Sequence, residues 1–283
     1  LLWAAGRLGV PTLIQEQNGY AGLTNKIVGK KAKSICVAYD GMERFFPADR
    51  IVFSGNPIRK EIVPATEEMR KEAMEFYGLD PQKKHIFIVG GSLGSGTLNN
   101  AMKKWITEGC PGGENMQIIW QCGKYYKPSV DAFMDEAKAK GIKGIESIQH
   151  SDFIKRMDLA YAVADVVISR SGASSVSELC AAEKAVIFVP SPNVAEDHQT
   201  HNAMALVNKD AALLVRDSEG VIEAEIFPDY EYAGKKKIKD IQDELQKMID
   251  EYNKTAPPYK RVFKLKVREV EFEKNTTKKI KRF

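Results

Sequence analysis

A glycine turn at Gly90–Gly94 gives the clearest chemical signal, because it follows an apolar run and precedes a helical pattern. Backbone N–H groups in such a turn, and at the start of the helix after it, converge on one point and favour a phosphate. Ser92 and Ser95 could add hydroxyl donors. The turn lacks the Gly-Lys-Ser/Thr ending of a P-loop, and an ordinary tight strand-to-helix turn is the alternative interpretation.

A second turn, from Ser169 to Ser177, also follows an apolar run and ends at Glu178. We expect its serines to cap the next helix. A carboxylate one turn inside that helix can accept hydrogen bonds from both hydroxyls of a ribose. The same glutamate could instead complement the positive end of the helix dipole, and its spacing does not separate the two roles.

Three further polar segments follow apolar runs and offer groups suited to a sugar or a diphosphate. Asn18 ends a Gln-Glu-Gln-Asn segment, Arg59 ends Gly-Asn-Pro-Ile-Arg, and Gln199 lies in Asp-His-Gln-Thr-His-Asn. An arginine after a turn can clamp a diphosphate with two hydrogen bonds, although an ordinary surface arginine is the alternative. His198 and His201 have no third ligand, so no metal site is predicted.

The elements that must position these residues alternate regularly. Apolar runs and amphipathic helical patterns follow one another up to about Arg216. Fully apolar strands between helices predict a parallel sheet covered on both faces, and therefore a doubly wound α/β fold. Since the carboxyl ends of parallel strands share one edge, we expect the polar turns to form a common ligand-binding rim.

Composition excludes several classes of protein. The chain has 283 residues, of which 43% are hydrophobic and 28% charged, and its net charge of +4 excludes a mainly disordered state. No apolar run approaches the length of about 18 residues that a membrane-spanning helix needs. A secretory signal is not recognised at the start. Four widely spaced cysteines indicate reduced thiols rather than disulfides or a zinc site.

The pattern changes after Arg216, where a polar strand-helix-strand order predicts a small α+β segment. From Lys254 onward, eleven Lys or Arg residues stand against three Glu residues. Such a basic stretch could bind an anionic partner, but we favour a solvated face and predict no nucleic-acid partner.

Taken in order, the polar motifs resemble the MurG family of bacterial glycosyltransferases. The resemblance covers about residues 1–216 and rests on Gln15–Lys26, Gly55–Arg59, Gly90–Gly94, Ser169–Glu178 and Asp197–Gln199. It implies a GT-B fold of two Rossmann-like domains and inverting transfer of N-acetylglucosamine from UDP-N-acetylglucosamine to lipid I. The product would be lipid II, for peptidoglycan synthesis. No cofactor is implied, and the expected location is peripheral, at the cytoplasmic face of the bacterial inner membrane.

The resemblance also implies a role in UDP-sugar binding for eight residues. The diphosphate would be held by the glycine turn, through Gly91, Ser92 and Gly94, and by Arg59. The ribose would be bound by Glu178, and the uracil edge by the backbone at Ile154. The sugar would be oriented by the amides of Asn18 and Gln199. Leu93 replaces the glutamine often found in this turn of the family.

The family's upstream loop, Gly-Gly-Thr-Gly-Gly-His, which serves the acceptor, is not found from Leu1 onward. We therefore expect an N-terminally truncated chain that binds the donor but is catalytically incomplete, and we assign no catalytic residue. Residues 1–48 would be a remnant of the acceptor domain, and residues 49–216 the UDP-sugar donor-binding domain.

Residues 217–283 resemble instead the C-terminal end of a long-chain acyl-CoA synthetase, in which Lys279 would occupy the position of an adenylate-contacting lysine. A natural fusion or a gene-prediction join near Arg216 would explain the change. Three alternative functions follow from these patterns. They are a UDP-sugar epimerase of the same fold class, a non-catalytic UDP-sugar-binding module with a basic tail, and a fragment of an adenylate-forming acyl-CoA ligase.

Overall fold

The computed structural model describes residues 1–192, 194–217, 222–226, 238–255 and 262–267. The chain divides into two compact units, Leu1–Asp217 and Ser218–Phe283. Among the residues so described, no helix is both long enough and apolar enough to cross a membrane.

A small parallel sheet opens the first unit. Its strands are β1 (Leu13–Glu16), β2 (Ser34–Val37) and β3 (Ile51–Phe53), and they pair in that order, with helices α1 (Leu2–Arg7) and α2 (Leu23–Gly29). Alternate side chains of β1 and β2 are buried, because successive residues of a strand point to opposite faces. The buried positions include Ile14, Ile35 and Val37, and Phe46 packs in the same cluster.

Six parallel strands form the main sheet. They are β4 (Lys84–Val89), β5 (Met116–Gln121), β6 (Ile148–Ser151), β7 (Val166–Ser169), β8 (Val186–Phe188) and β9 (Leu213–Leu214). Their spatial order is β6-β5-β4-β7-β8-β9, which is the doubly wound order of nucleotide-binding sheets. The direction of winding reverses between β4 and β7, where such sheets open a crevice for a ligand. The predicted doubly wound parallel fold is confirmed.

Helices cover both faces of this sheet. They are α3 (Glu67–Tyr77), α4 (Gly96–Thr107), α5 (Lys127–Ala139), α6 (Met157–Val163), α7 (Ala173–Ala181) and α8 (His198–Val207). On one face, α4 and α5 pack with Ile88 and Trp120, and on the other, α6 and α7 pack with Phe87 and Val167. Both faces are therefore apolar, which is why the strands appear in the sequence as continuous apolar runs.

The second unit contains β10 (Ile222–Ile226), α9 (Ile238–Thr255) and β11 (Val262–Val267). The two strands pair in parallel. The amide side chain of Asn253 bonds the backbone of Val262 through both its nitrogen and its oxygen, at 2.6 and 2.9 Å, and so ties α9 to β11. Lys279 lies outside the described residues.

Candidate functional site

The carboxyl ends of the six strands form one row across the main sheet. The register aligns Ser151, Gln121, Val89, Ser169, Phe188 and Leu214. Every predicted UDP-sugar residue of residues 84–217 follows one of these strand ends. The part of the expected rim that belongs to the main sheet is therefore present, at the edge where doubly wound sheets bind ligands. Asn18 and Arg59 instead follow β1 and β3 of the separate small sheet.

The glycine turn after β4 is shaped by two residues with positive φ, Gly91 at 83° and Gly94 at 85°. A Cβ on Gly94 would lie 2.2 Å from the carbonyl oxygen of Cys122, so only glycine fits between this turn and the loop after β5. Ser95 caps α4 and accepts the N–H of Leu98 at 3.3 Å. Ser92 is exposed, which leaves its side chain accessible at the start of the helix.

Gln121, at the end of β5, is buried, and its side chain hydrogen-bonds to the glycine turn after β4. Its Oε1 accepts the N–H of Gly90 at 3.1 Å, and its Nε2 donates to the carbonyl of Gly91 at 2.9 Å. The same nitrogen donates to the carbonyl of Asp152 at 2.9 Å, two residues before Ile154. One amide thus joins the predicted diphosphate turn to the predicted uracil segment.

Glu178 lies inside α7 and is only 7% exposed. Arg59 donates to both of its oxygens, from Nε at 2.8 Å and from a terminal nitrogen at 2.6 Å, and Tyr161 lies 3.4 Å away through its hydroxyl. The hydrogen bond to Glu178 raises the pKa of Arg59, and burial, followed by the charge of Glu178, raises the pKa of Tyr161. The structure thus places Arg59 on Glu178, while its predicted role at the diphosphate stays a prediction.

The serines after β7 do not cap α7 as expected. The N-terminal cap is Gly172, and no side chain bonds the first turn of the helix. Ser171 is fully buried, and its hydroxyl donates instead to the carbonyl oxygen of Gln199 at 2.8 Å. The side-chain oxygen of Gln199 accepts the N–H of Ser191 at 2.9 Å. The Ser171 hydroxyl therefore bonds to α8 instead of capping the N-terminus of α7.

Asn202 joins the small sheet to the rim and is completely buried. Its oxygen accepts the N–H of Gly19 at 2.8 Å, and its nitrogen donates to the Asn18 side chain at 3.0 Å and to the carbonyl of Ser171 at 3.1 Å. Asn18 is thereby held beside α8, which also carries Gln199. The two amides predicted to orient the sugar are therefore linked through α8.

Glu16 fixes the segment that carries Asn18. This carboxylate is only 3% exposed and accepts hydrogen bonds from the backbone and side chain of Asn18, from the N–H of Gly22 and from the Asn25 side chain. A buried carboxylate is tolerated when several donors surround it, as they do here.

Arg170 binds together three segments behind the rim. One of its terminal nitrogens donates to the carbonyls of Val189 and Pro190 at 2.9 and 3.1 Å and lies 2.6 Å from a carboxylate oxygen of Asp217. Thr97, in the first turn of α4, donates to Asp217 at 2.8 Å. The end of the first unit is thus anchored beside the glycine turn.

Ile154 lies three residues after β6 and is 6% exposed. Its side chain belongs to the apolar core of the main sheet, so only its backbone is available to a ligand. A backbone contact with the uracil edge stays a prediction, as do the ligand contacts of the other seven residues.

Sequence reasoning missed Gln121. Its only signal is a polar residue at the end of an apolar run, where a buried amide must find partners in neighbouring loops. The His201 ring stacks on Tyr20, with ring centroids 5.0 Å apart.

Comparison with known proteins gives a consistent family. The model of the glycosyltransferase family 28 C-terminal domain matches residues 85–226, half of the chain. A relative from Parabacteroides distasonis, named UDP-N-acetylglucosamine–N-acetylmuramyl-(pentapeptide) pyrophosphoryl-undecaprenol N-acetylglucosamine transferase, is 52% identical over 228 residues. A relative of the same name from Bacteroides thetaiotaomicron is 48% identical over 247 residues.

The chain spans only part of these relatives. The two matches cover 80% and 87% of this chain but 59% and 64% of the relatives. The family 28 model extends to residue 226, which lies inside the predicted tail of residues 217–283. The resemblance of that tail to an acyl-CoA synthetase stays a prediction.

Among solved structures, the crystal structure of Acinetobacter baumannii MurG matches with a TM-score of 0.57 and 30% identity, over 88% of this chain and 60% of that chain. The family model covers the main sheet from the second residue of β4 onward. The chain therefore belongs to glycosyltransferase family 28, whose C-terminal domain it contains.

Proposed function

We propose that this chain holds the UDP-N-acetylglucosamine-binding part of the transferase that forms lipid II. The observation that supports the proposal is the row of strand ends, because the glycine turn follows β4 and the helices that carry Glu178 and Gln199 follow β7 and β8 of the same doubly wound sheet. The names of the relatives, which specify an N-acetylglucosamine transferase, support the choice of sugar.

In the proposed reaction, the oxygen of an acceptor hydroxyl attacks the anomeric carbon of the sugar and UDP leaves, with inversion at that carbon. The hydroxyl proton passes to a general base, which we do not assign to a residue of this chain. Negative charge grows on the diphosphate as the glycosidic bond to it breaks. The N–H groups of Gly90 and Gly94 already donate to Gln121 and to the Gly91 carbonyl. The other amides of the turn and the N-terminus of α4 would stabilise that charge, because both present positive dipole ends. Arg59 would assist if its guanidinium is shared between Glu178 and the diphosphate.

By the same proposal, the acceptor is lipid I and the whole protein acts as a peripheral protein at the cytoplasmic face of the inner membrane. The name of the relatives includes pyrophosphoryl-undecaprenol, which supports a lipid-linked acceptor. An undecaprenyl chain partitions into a bilayer, so an enzyme that uses it must reach a membrane surface. We assign no acceptor-binding or catalytic residue in this chain.

Calorimetric titration of UDP-N-acetylglucosamine into the full chain tests the proposal. We expect binding that exceeds binding of ATP and that weakens about ten- to a hundredfold in Glu178→Ala, since hydrogen bonds to a charged group contribute about 1.5–3 kcal/mol. Glu75→Ala, on the exposed face of α3, is the matched control and should bind as the unaltered chain does.

Two outcomes would contradict the proposal. Equal affinity for ATP and the UDP sugar would remove the specificity on which it depends, and would return the adenylate-forming alternative to consideration. Conversion of the bound UDP sugar into its 2-epimer, detected by chromatography, would identify an epimerase.

A further inference from the structure

Gln121 contacts two predicted parts of the nucleotide site at once. It is 3% exposed, and its amide makes three hydrogen bonds, with Gly90, Gly91 and Asp152. An amide of this length supplies two donors and an acceptor together, a combination that neither glutamate nor methionine offers.

These bonds determine which way two peptide groups face. In a trans peptide the C=O and the next N–H point in opposite directions, and all described peptide bonds are trans. The Gly91 carbonyl accepts hydrogen bonds from Gln121 and from the N–H of Gly94, both at 2.9 Å, so the N–H of Ser92 in the same peptide points away from the Gln121 amide. Because the Asp152 carbonyl also points to Gln121, the N–H of Phe153 likewise points away from it.

The loop after β5 packs closely against the same two segments. Gly123 has a φ of 87°, and a Cβ there would lie 2.3 Å from the backbone nitrogen of Gly94. The N–H of Cys122 donates to the carbonyl of Ser151 at 2.9 Å. The end of β5 therefore contacts both the glycine turn and the segment after β6.

We propose that Gln121 is a positioning residue for nucleoside diphosphate binding. It turns the Ser92 N–H toward the diphosphate and the Phe153 N–H toward the base, and it sets the spacing between the two segments. The proposal rests on the proposed function, because it takes a uridine diphosphate as the ligand of this rim. Gln121 acts through the backbone and touches no reacting atom.

Titration of UDP into the full chain tests this role, with Gln121→Met and Gln121→Glu beside the unaltered protein. The matched control is Gln117→Met, at the other end of β5, where Oε1 accepts the N–H of Asp80 at 2.7 Å. We expect Gln121→Met to lower the affinity for UDP about tenfold or more and Gln117→Met to leave it within about twofold. Circular dichroism at the titration temperature confirms that every variant is folded.

The Gln121→Glu variant adds a pH profile that a merely structural role would not produce. Its carboxylate would face the carbonyls of Gly91 and Asp152, and burial would favour the protonated form, which again donates a hydrogen bond. The affinity of this variant relative to the unaltered chain should therefore recover between about pH 8 and pH 5.5. The relative affinity of Gln121→Met should stay constant over the same range.

The outcomes separate the two proposals. If the unaltered chain binds UDP and Gln121→Met binds it equally well, the positioning role is overturned and the proposed function stands. A relative affinity of Gln121→Glu that does not change with pH would also overturn it. If the unaltered chain binds no UDP, the proposed function is wrong and the positioning role falls with it.

Discussion

At the scale of single residues, Glu178 is a carboxylate that the fold keeps buried and paired. Arg59→Met would remove both charged hydrogen bonds and leave Glu178 with Tyr161 as its neighbour. Because Arg59 is 45% exposed and solvent screens the pair, we expect the free energy of unfolding at pH 7 to fall by only about 1–2 kcal/mol. Urea denaturation measures this change.

A double-mutant cycle isolates the pair from other effects of the substitution. Glu178→Gln removes the buried charge, so the Arg59→Met change should cost less in that background than in the unaltered chain. Additive effects of the two substitutions would mean that the ion pair contributes nothing measurable.

At the scale of elements, the glycine turn has two glycines with similar positive φ values but different room for an added Cβ atom. Gly91 and Gly94 have φ values of 83° and 85°, but a Cβ on Gly91 meets nothing within 4 Å whereas one on Gly94 meets Cys122 at 2.2 Å. Gly91→Ala should therefore cost only the left-handed strain, about 1–2 kcal/mol. Gly94→Ala should lower the melting temperature further and also weaken UDP binding, because the loop after β5 must move.

Calorimetric melting and UDP titration of both alanine variants provide the comparison. Equal losses of stability and affinity in Gly91→Ala and Gly94→Ala would show that the close approach of the two loops is unimportant.

The ion pair between Arg156 and Asp158, at the start of α6, should make the stability of the chain depend on pH. Hydrogen bonds from Arg156 lower the pKa of Asp158 below its ordinary value, with burial opposing them. The stabilisation is therefore present above the unfolded pKa, about 3.9, and is lost as the pH falls through the lower folded value. Asp158→Asn should lower the melting temperature at pH 7, and the difference from the unaltered chain should shrink toward pH 3.

Thermal melts across this pH range measure the effect, and Asp135→Asn, exposed on α5, is the control that should show no such trend. A difference between Asp158→Asn and the unaltered chain that stays constant down to pH 3 would refute the linkage.

At the scale of the whole molecule, exposed apolar side chains are concentrated in the first 53 residues. Trp3, Leu8, Leu13 and Phe53 are 56%, 81%, 60% and 64% exposed. Exposed apolar surface promotes association, so we expect this chain to aggregate or to need detergent. Phe53→Ser should increase the monomeric fraction, measured by size-exclusion chromatography with light scattering.

Phe76→Ser is the matched control, because Phe76 is 57% exposed on α3, outside this region. A monodisperse, cooperatively melting monomer without detergent would contradict the expectation, as would an equal gain from both substitutions.

Much of the fold follows from local pattern. Apolar strands such as Ile86–Val89 and Val166–Ser169 are buried on both faces, so their sequences are continuously apolar and their parallel pairing is predictable. Glycine and proline mark the turns between them. The prediction that serines cap α7 was wrong, because Ser171 donates to the carbonyl oxygen of the distant Gln199. No local sequence pattern identifies a hydrogen-bond partner so far along the chain.

The sequence by itself determined the fold class, the family and the order of the polar turns, since periodicity and motif order are properties of the chain alone. Only the tertiary structure decided which side chains meet. It paired Arg59 with Glu178, buried Asn202 between the small sheet and the rim, and gave Gln121 its three partners. The physical reason is that buried polar groups must find hydrogen bonds wherever packing brings them, at separations in the chain that no local pattern encodes.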